Sequence, residues 1–266
     1  MIPLGENRTS FSEKIIWITG ASSGIGEALA VQLSAMGALL ILTSRNESEL
    51  AQVRDRCSGQ VSILPADLSI GGVHELAAAA LAIHGRVDIL INNAGIGQRA
   101  TAEETSEIVL RQIMELDFFA PVLLTQALMP HFRSQGGHVV VTGSMAGLMG
   151  VPRRTAYSAA KHAVMGYFES LQVEHAIEGF FITIVSPGRV RSRFSINALR
   201  GSGEAHGQMD KAQQKGIPAE VCAGKIIRAI ERKRRHAVIA REERLLWWLR
   251  KWAPPLYYIA ARRFGG

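Results

Sequence analysis

Tyr157 and Lys161 stand four residues apart in the run Tyr157-Ser-Ala-Ala-Lys161. The surrounding stretch has a helical pattern, so both side chains share one face. A free phenol titrates near 10, too high to act as a base at neutrality. An ammonium about 4 Å away, at an effective dielectric near 20, contributes on the order of 4 kcal/mol, or about three pKa units. That is enough to bring a phenol to the range where general acid–base catalysis is most efficient. A Tyr-x-x-x-Lys pair alone is common on helix surfaces. Ser144, thirteen residues upstream at the end of a strand-like run, adds a hydroxyl that could hold a reacting oxygen.

A second group of residues suits a phosphate. The first strand-like run leads directly into Thr19-Gly20-Ala21-Ser22-Ser23-Gly24-Ile25-Gly26, and a helical stretch follows. Glycines there let the backbone turn sharply, and a pyrophosphate can rest on the unpaired amides of the helix N-terminus. The spacing is G-x-x-x-G-x-G rather than G-x-G-x-x-G. In isolation such a turn is also an ordinary tight β–α connection, and its position after the first strand gives it weight.

The elements that must position these groups follow from periodicity. Near-continuous apolar runs at 15–19, 38–43, 61–65, 87–92, 138–143, 180–186 and 237–240 read as strands buried on both faces. Helical stretches near 24–36, 46–57, 71–84, 104–133, 155–178 and 218–234 separate them. Seven strands alternating with helices predict repeated βαβ units, hence an α/β fold with a parallel, doubly wound sheet. The segment 189–217 falls outside this rhythm. It is longer than an ordinary connection and is expected to be either a substrate loop or lid, or partly disordered. The segment 241–266 forms a basic, Trp-rich tail.

On these motifs the chain resembles the short-chain dehydrogenase/reductase family in its smaller, single-domain form. The resemblance spans about residues 13–240 and rests on six features in order: TGASSGIG at 19–26, Asp67, NNAG at 92–95, Ser144, Tyr157 with Lys161, and Pro187-Gly188. It implies a Rossmann-type domain over 1–240 with a seven-stranded parallel sheet flanked by helices, followed by the tail. By the same resemblance Ser144 would hold the substrate oxygen, Tyr157 would exchange the proton, and Lys161 would bind the nicotinamide ribose and tune Tyr157. Gly20, Ser22, Ser23, Gly24, Ile25 and Gly26 would hold the pyrophosphate. Asp67 and Leu68 would hold the adenine, and Asn93, Ala94 and Gly95 the adenosine side. The stretch from Pro187 to Ser192, with Gly188 and Val190, would take the nicotinamide end. The second strand closes on Leu42-Thr43-Ser44-Arg45, with no carboxylate where a ribose 2′-hydroxyl would need one. A guanidinium there suits a 2′-phosphate, so Ser44 and Arg45 point to NADP(H). One departure matters: Asp117 occupies the position where the family usually has Asn. If ionised, it would stabilise the Lys161 ammonium but reduce the field at Tyr157; if protonated, it could imitate the amide.

The substrate side is expected to be apolar. Ser144 and Tyr157 would contact the reacting group, and Met145, Met149, Ile196 and Leu199 would line a lipophilic pocket. Arg153, Arg154, Arg189, Arg191 and Arg193 gather in the same region as solvated loop charge or as a seat for an acidic head group. The leading expectation is an NADP(H)-dependent enzyme interconverting a lipophilic ketone and a secondary alcohol of steroid, retinoid or lipid type. A first alternative is reduction of an acyl thioester or another anionic carbonyl. A second is a catalytically weak nucleotide-binding scaffold or sensor at a membrane.

Composition narrows the classes further. The 266 residues are 47% hydrophobic and 20% charged, which excludes dominant disorder. Two cysteines, Cys57 and Cys222, exclude a disulfide framework and suggest a reducing compartment. The polar start, Met1 to Lys14, has no apolar leader pattern, and no apolar run reaches the length of a membrane span. A cytoplasmic protein is therefore expected. The net charge of +7 is uneven: residues 225–266 carry 12 Lys+Arg and 3 Asp+Glu, while the remainder is slightly acidic. Around 241–253 a charged arc (Arg244, Trp247, Arg250, Lys251) faces an apolar arc (Leu245, Leu246, Trp248, Leu249, Trp252). Such a helix can lie in a membrane interface or pack on the domain or a subunit. Nucleic acid is not expected as a partner and no metal site is expected. The family resemblance implies a homodimer or homotetramer.

Overall fold

The computed structural model describes residues 11–175 and 179–264. In chain order, β1 (Ile15–Thr19) leads into α1 (Gly24–Ala35), and β2 (Leu39–Thr43) into α2 (Glu47–Asp55). Then come β3 (Val61–Ile63), α3 (Val73–His84) and β4 (Ile89–Asn92). Next are α4 (Glu107–Met114), a π-helical turn over Glu115–Phe119, and α5 (Ala120–Gln135). They are followed by β5 (Gly137–Thr142) and α6 (Thr155–Glu174). After β6 (Phe180–Pro187) a long segment holds β7 (Val190–Arg191), α7 (Lys211–Gln214) and β8 (Ile217–Pro218). Then come α8 (Ala219–Glu231), β9 (His236–Ile239), α9 (Glu243–Trp252) and α10 (Pro254–Phe264).

Seven strands form one parallel sheet in the order β3-β2-β1-β4-β5-β6-β9. Alternate residues of each strand enter different cores, which explains the unbroken apolar runs. Ile16, Ile18, Leu40 and Leu42 pack with Leu29 and Leu33 of α1 and Ile226 and Ile230 of α8. Ile15, Trp17, Ile41 and Leu90 pack on the other face with Leu124 and Leu128 of α5 and Val164 and Phe168 of α6. Trp17 is fully buried, and its indole N–H donates to Thr43 Oγ1 at 2.9 Å, so no polar atom is stranded. The chain reverses direction across the sheet between β1 and β4. Ligands of open α/β sheets bind in the crevice outside the strand ends at such a point.

Three features refine the sequence reading. The stretch 104–133 is not one helix, because the π-helical turn divides it and Ala120 N–H bonds back to Glu115 O. Pro121 explains the break: it has no N–H to donate, and its ring would clash with the carbonyl four residues earlier. Of the two readings for 189–217, the segment is ordered, with β7 pairing β8. The tail is two helices, separated at Ala253 before Pro254. The expected end of α6 at 176–178, and the outermost residues 1–10 and 265–266, lie outside the described residues.

Trp247, expected on the charged side, joins Leu246, Leu249 and Tyr257 against Met145 and Met149. Tyr257 donates to Gly150 O at 2.6 Å, Arg250 bonds Leu148 O, and Glu243 accepts from Arg189 N at 2.9 Å. The tail therefore roofs the loop after β5. Among the described residues no helix is long and apolar enough to cross a membrane.

Candidate active site

A cavity of about 750 Å³ opens at the strand ends around the crossover. At one end lie Gly20, Ser22, Ser23, Gly24 and Ile25, with Ser44, Arg45, Asp67 and Leu68 beside them. Asn93, Ala94, Gly95, Pro187, Gly188, Val190 and Ser192 line its middle, and Ser144, Met145, Met149, Tyr157 and Lys161 the far end. Gly26 is not part of the wall. It lies under the turn, where a Cβ would collide with the Gly20 carbonyl. Gly20 and Gly24 have φ of 63° and 61°, and a Cβ on Gly20 would come within 2.7 Å of Ala94 Cα.

Asn93 braces this turn. Its Nδ2 donates to Thr19 O and Gly20 O, both at 3.2 Å, and its backbone N–H to Thr19 Oγ1 at 3.0 Å. Ser23, the N-cap of α1, provides no side-chain cap, so first-turn amides are left for a ligand. Arg45 lies 3.9 Å from Asp67 and is mostly exposed, and no carboxylate terminates β2. The residues present fit a dinucleotide: a glycine cradle with no room for side chains, free amides at a helix start, and a cation beside the adenosine end.

At the far end Ser144 Oγ accepts from Ala146 N at 3.1 Å, which leaves its own proton to donate into the cavity. Tyr157 is buried, its ring 5.6 Å from that of Phe194. Among the described residues nothing hydrogen-bonds its hydroxyl. Lys161 Nζ donates to Thr142 O at 3.0 Å and stands 5.8 Å from the Tyr157 ring centre. Ile196 and Leu199 do not line the cavity as expected. Leu199 is drawn into a buried cluster with Ile96, Val109 and Ile113, and Phe194 takes the wall instead.

Asp117 and Lys161 form a buried ion pair, Oδ1 to Nζ 2.9 Å, while Oδ2 accepts from Ile96 N at 2.9 Å. Burial raises the Asp117 pKa against the pull of Lys161 and the Ile96 amide. Burial alone would depress Lys161, but the Asp117 carboxylate and Tyr157 outweigh it and raise its pKa, so the ammonium persists. The π-helical turn places Asp117 this deep, and a Cβ at Gly95 would meet its Oδ1 at 2.6 Å. The contact between carboxylate and ammonium is direct.

Several site residues were not legible in the sequence. Arg154, the N-cap position of α6, has no side-chain acceptor for the first-turn amides, so buried Gln98 caps them. Its Oε1 accepts from Ala156 N at 2.8 Å and Tyr157 N at 3.3 Å, and its Nε2 donates to Thr105 Oγ1 at 2.6 Å. Gln98 is thus a positioning residue for Tyr157. Arg99 and Asp210 also line the cavity, together with the anticipated Arg153, Arg154 and Arg189. Arg193 points elsewhere and pairs with Glu49 at 2.8 Å, and Arg191 is exposed on β7. Among the described residues no His, Cys, Asp and Glu gather as a metal site.

Residues 14–201 match the model of a family described as short chain dehydrogenase. A Drosophila melanogaster protein named "Dehydrogenase/reductase SDR family protein 7-like" is 36% identical, covering 96% of this chain and 82% of its own. Among solved structures, a Burkholderia phymatum short-chain dehydrogenase/reductase in complex with NAD superposes with a TM-score of 0.77 at 26% identity, covering 86% of this chain and 90% of that one. A metagenomic short-chain oxidoreductase in complex with NADP gives 0.72 at 25% identity, covering 87% of this chain and 99% of that one.

Proposed function

Because this chain belongs to the short-chain dehydrogenase/reductase family of oxidoreductases, we propose that it interconverts a lipophilic ketone and its secondary alcohol with NADP(H). The observation that carries the reading is the convergence of Ser144, Tyr157 and Lys161 at one end of a cavity whose other end fits a dinucleotide. Ser144 holds the substrate oxygen through its free proton, and Tyr157 gives that oxygen a proton or takes one from it. Lys161, pinned by Thr142 O and Asp117, keeps a positive charge beside the phenol and faces the ribose position. Hydride exchange at the carbinol carbon is the chemistry a bound nicotinamide supplies. Met145, Met149, Val151 and Phe194 give the substrate side its apolar wall.

Preference for the phosphorylated cofactor rests on Arg45. A charged hydrogen bond is worth about 1.5–3 kcal/mol, so Arg45→Ala should lower the NADPH-to-NADH ratio of kcat/KM by about ten- to a hundredfold. Equal losses with both cofactors, measured by steady-state kinetics, would remove Arg45 from this role.

The tail supports docking on an anionic lipid surface. Leu245, Trp248, Trp252, Leu256, Tyr258 and Ile259 are each more than half exposed, while Arg241, Arg244, Arg250, Lys251 and Arg262 flank them. Aromatic and aliphatic groups ringed by cations suit a membrane interface. The protein should co-sediment with vesicles containing phosphatidylserine at low salt and release in high salt, and Trp248→Ser/Trp252→Ser should weaken the binding at least tenfold. No binding at low salt would refute the docking. Exposed Ile108, Leu110, Phe119 and Val173 on α4 to α6 support self-association through the helices that carry the site.

A further inference from the structure

Two guanidinium groups reach the cavity at its catalytic end and share one carboxylate. Arg99 is nearly inaccessible and forms an ion pair with Asp210 Oδ2, while its Nη1 donates to Gln98 O at 2.9 Å. Arg154 approaches the same oxygen at 3.8 Å. The backbone is built around them, with Arg99 N–H bonded to Leu199 O at 2.8 Å and Ala100 N–H to Arg153 O at 3.2 Å. Among the described residues Asp210 is the carboxylate that both guanidiniums contact, so one positive charge in this corner has no counterpart. The neighbouring imidazole of His206, 3.7 Å from Asp210 Oδ1, is held toward its neutral form by burial and then by Arg99 and other arginines. Arg99 itself is pushed down to about 9, by burial first and then by Arg154. Two guanidiniums thus share the charge of a single carboxylate.

Arg154 is the N-cap position of α6, three positions before Tyr157, and both line the cavity, so whatever satisfies the guanidiniums lies close to the reacting carbonyl. We infer that the substrate carries an anionic group, a carboxylate or a phosphate, which Arg99 and Arg154 hold while Tyr157 and Ser144 engage the carbonyl. The assignment rests on the ketone-reductase reading and narrows its substrate class to an oxo acid or an oxo phosphate. Asp210 belongs to the segment between β7 and α7. In this account it is a placeholder that the substrate anion competes with or supplements.

The test measures NADPH-dependent reduction of oxo carboxylates from 4-oxopentanoate to 9-oxodecanoate, their methyl esters, and 4-oxopentyl phosphate. The acids or the phosphate should exceed the esters at least tenfold in kcat/KM, and whichever anion is preferred identifies the group. Arg154→Gln should lower the acid-to-ester ratio about tenfold, and Asp210→Asn should raise it. A lid-pinning role alone would move both variants the same way. Esters turned over as well as acids, or a ratio unmoved by Arg154→Gln, would overturn the inference and leave the reductase reading standing. If no ketone is reduced, the reductase reading fails. Calorimetric titration of the same oxo acids into NADPH-loaded protein then decides the anion seat, and absence of binding refutes it.

Discussion

Tyr157→Phe should lower kcat by about 10²–10⁴-fold, while NADPH binding and the thermal midpoint stay near those of the parent. The substitution removes one oxygen. That oxygen makes no hydrogen bond within the described chain, so folding loses little by its removal. The ring keeps its contact with Phe194, and the cavity wall keeps its shape. The loss is confined to proton exchange at the substrate oxygen, with Ser144 still able to hold that oxygen. Fluorescence titration of NADPH together with turnover separates the two effects. A variant that still turns over within fivefold of the parent would show that the proton moves by another route.

The buried pair gives the second large effect. Removing one partner of such a pair leaves a charge without compensation and costs about 3–5 kcal/mol, so Asp117→Leu and Lys161→Met should each destabilise by that amount. Their pH dependences should run in opposite directions. In Lys161→Met the Asp117 carboxyl, already raised by burial, loses its cation and retains its proton in the folded state. The unfolded chain ionises near the ordinary carboxylate value, so stability falls as pH rises through that window. In Asp117→Leu burial dominates the lysine and depresses it, the unfolded chain binds the proton more tightly, and stability rises with pH. The double variant should cost less than either single one, because two apolar groups then face each other. Denaturant melts at pH 5 and pH 8 check both signs, and parallel slopes would contradict the ion-pair account. The milder Asp117→Asn removes negative charge near the phenol and should move the pH–rate curve to lower pH. An unchanged curve would deny Asp117 any part in tuning the site.

The frame was readable because its signals are local. Runs such as Ile15–Thr19 and Leu39–Thr43 are buried on both faces, and that alone separates a parallel sheet from an alternating one. The glycine turn and the Tyr157–Lys161 pair were likewise local, since a turn or one helical face fixes their geometry. The rest depends on distant partners. Gln98 caps a helix that begins 57 positions later, and nothing in its neighbourhood marks it as a cap. Arg99 meets Asp210 across 111 positions of sequence, so the arginines read as loop charge until the fold gathered two of them onto one carboxylate. The helical stretch 104–133 reads without a break, although Pro121 lies within it. That the break would be a π-helical turn carrying Asp117 to Lys161 is a matter of tertiary packing. The tail misled in detail for a related reason: an amphipathic pattern shows that two faces exist, but not which face the domain covers. Leu246 and Trp247 turned inward against Met145 and Met149, leaving Trp248 and Trp252 outside.

The central claim, that this cavity passes hydride between NADPH and a carbonyl carbon under Tyr157, is tested most directly by isotope transfer. The protein is incubated with NADPH deuterated at the transferring position and with the ketone series, and the alcohols are weighed by mass spectrometry. The account predicts an alcohol carrying one deuterium on the carbinol carbon, formed by the parent and lost in Tyr157→Phe. Tight NADPH binding with no deuterated alcohol from any ketone would contradict it, and would leave the fold as a nucleotide-binding scaffold.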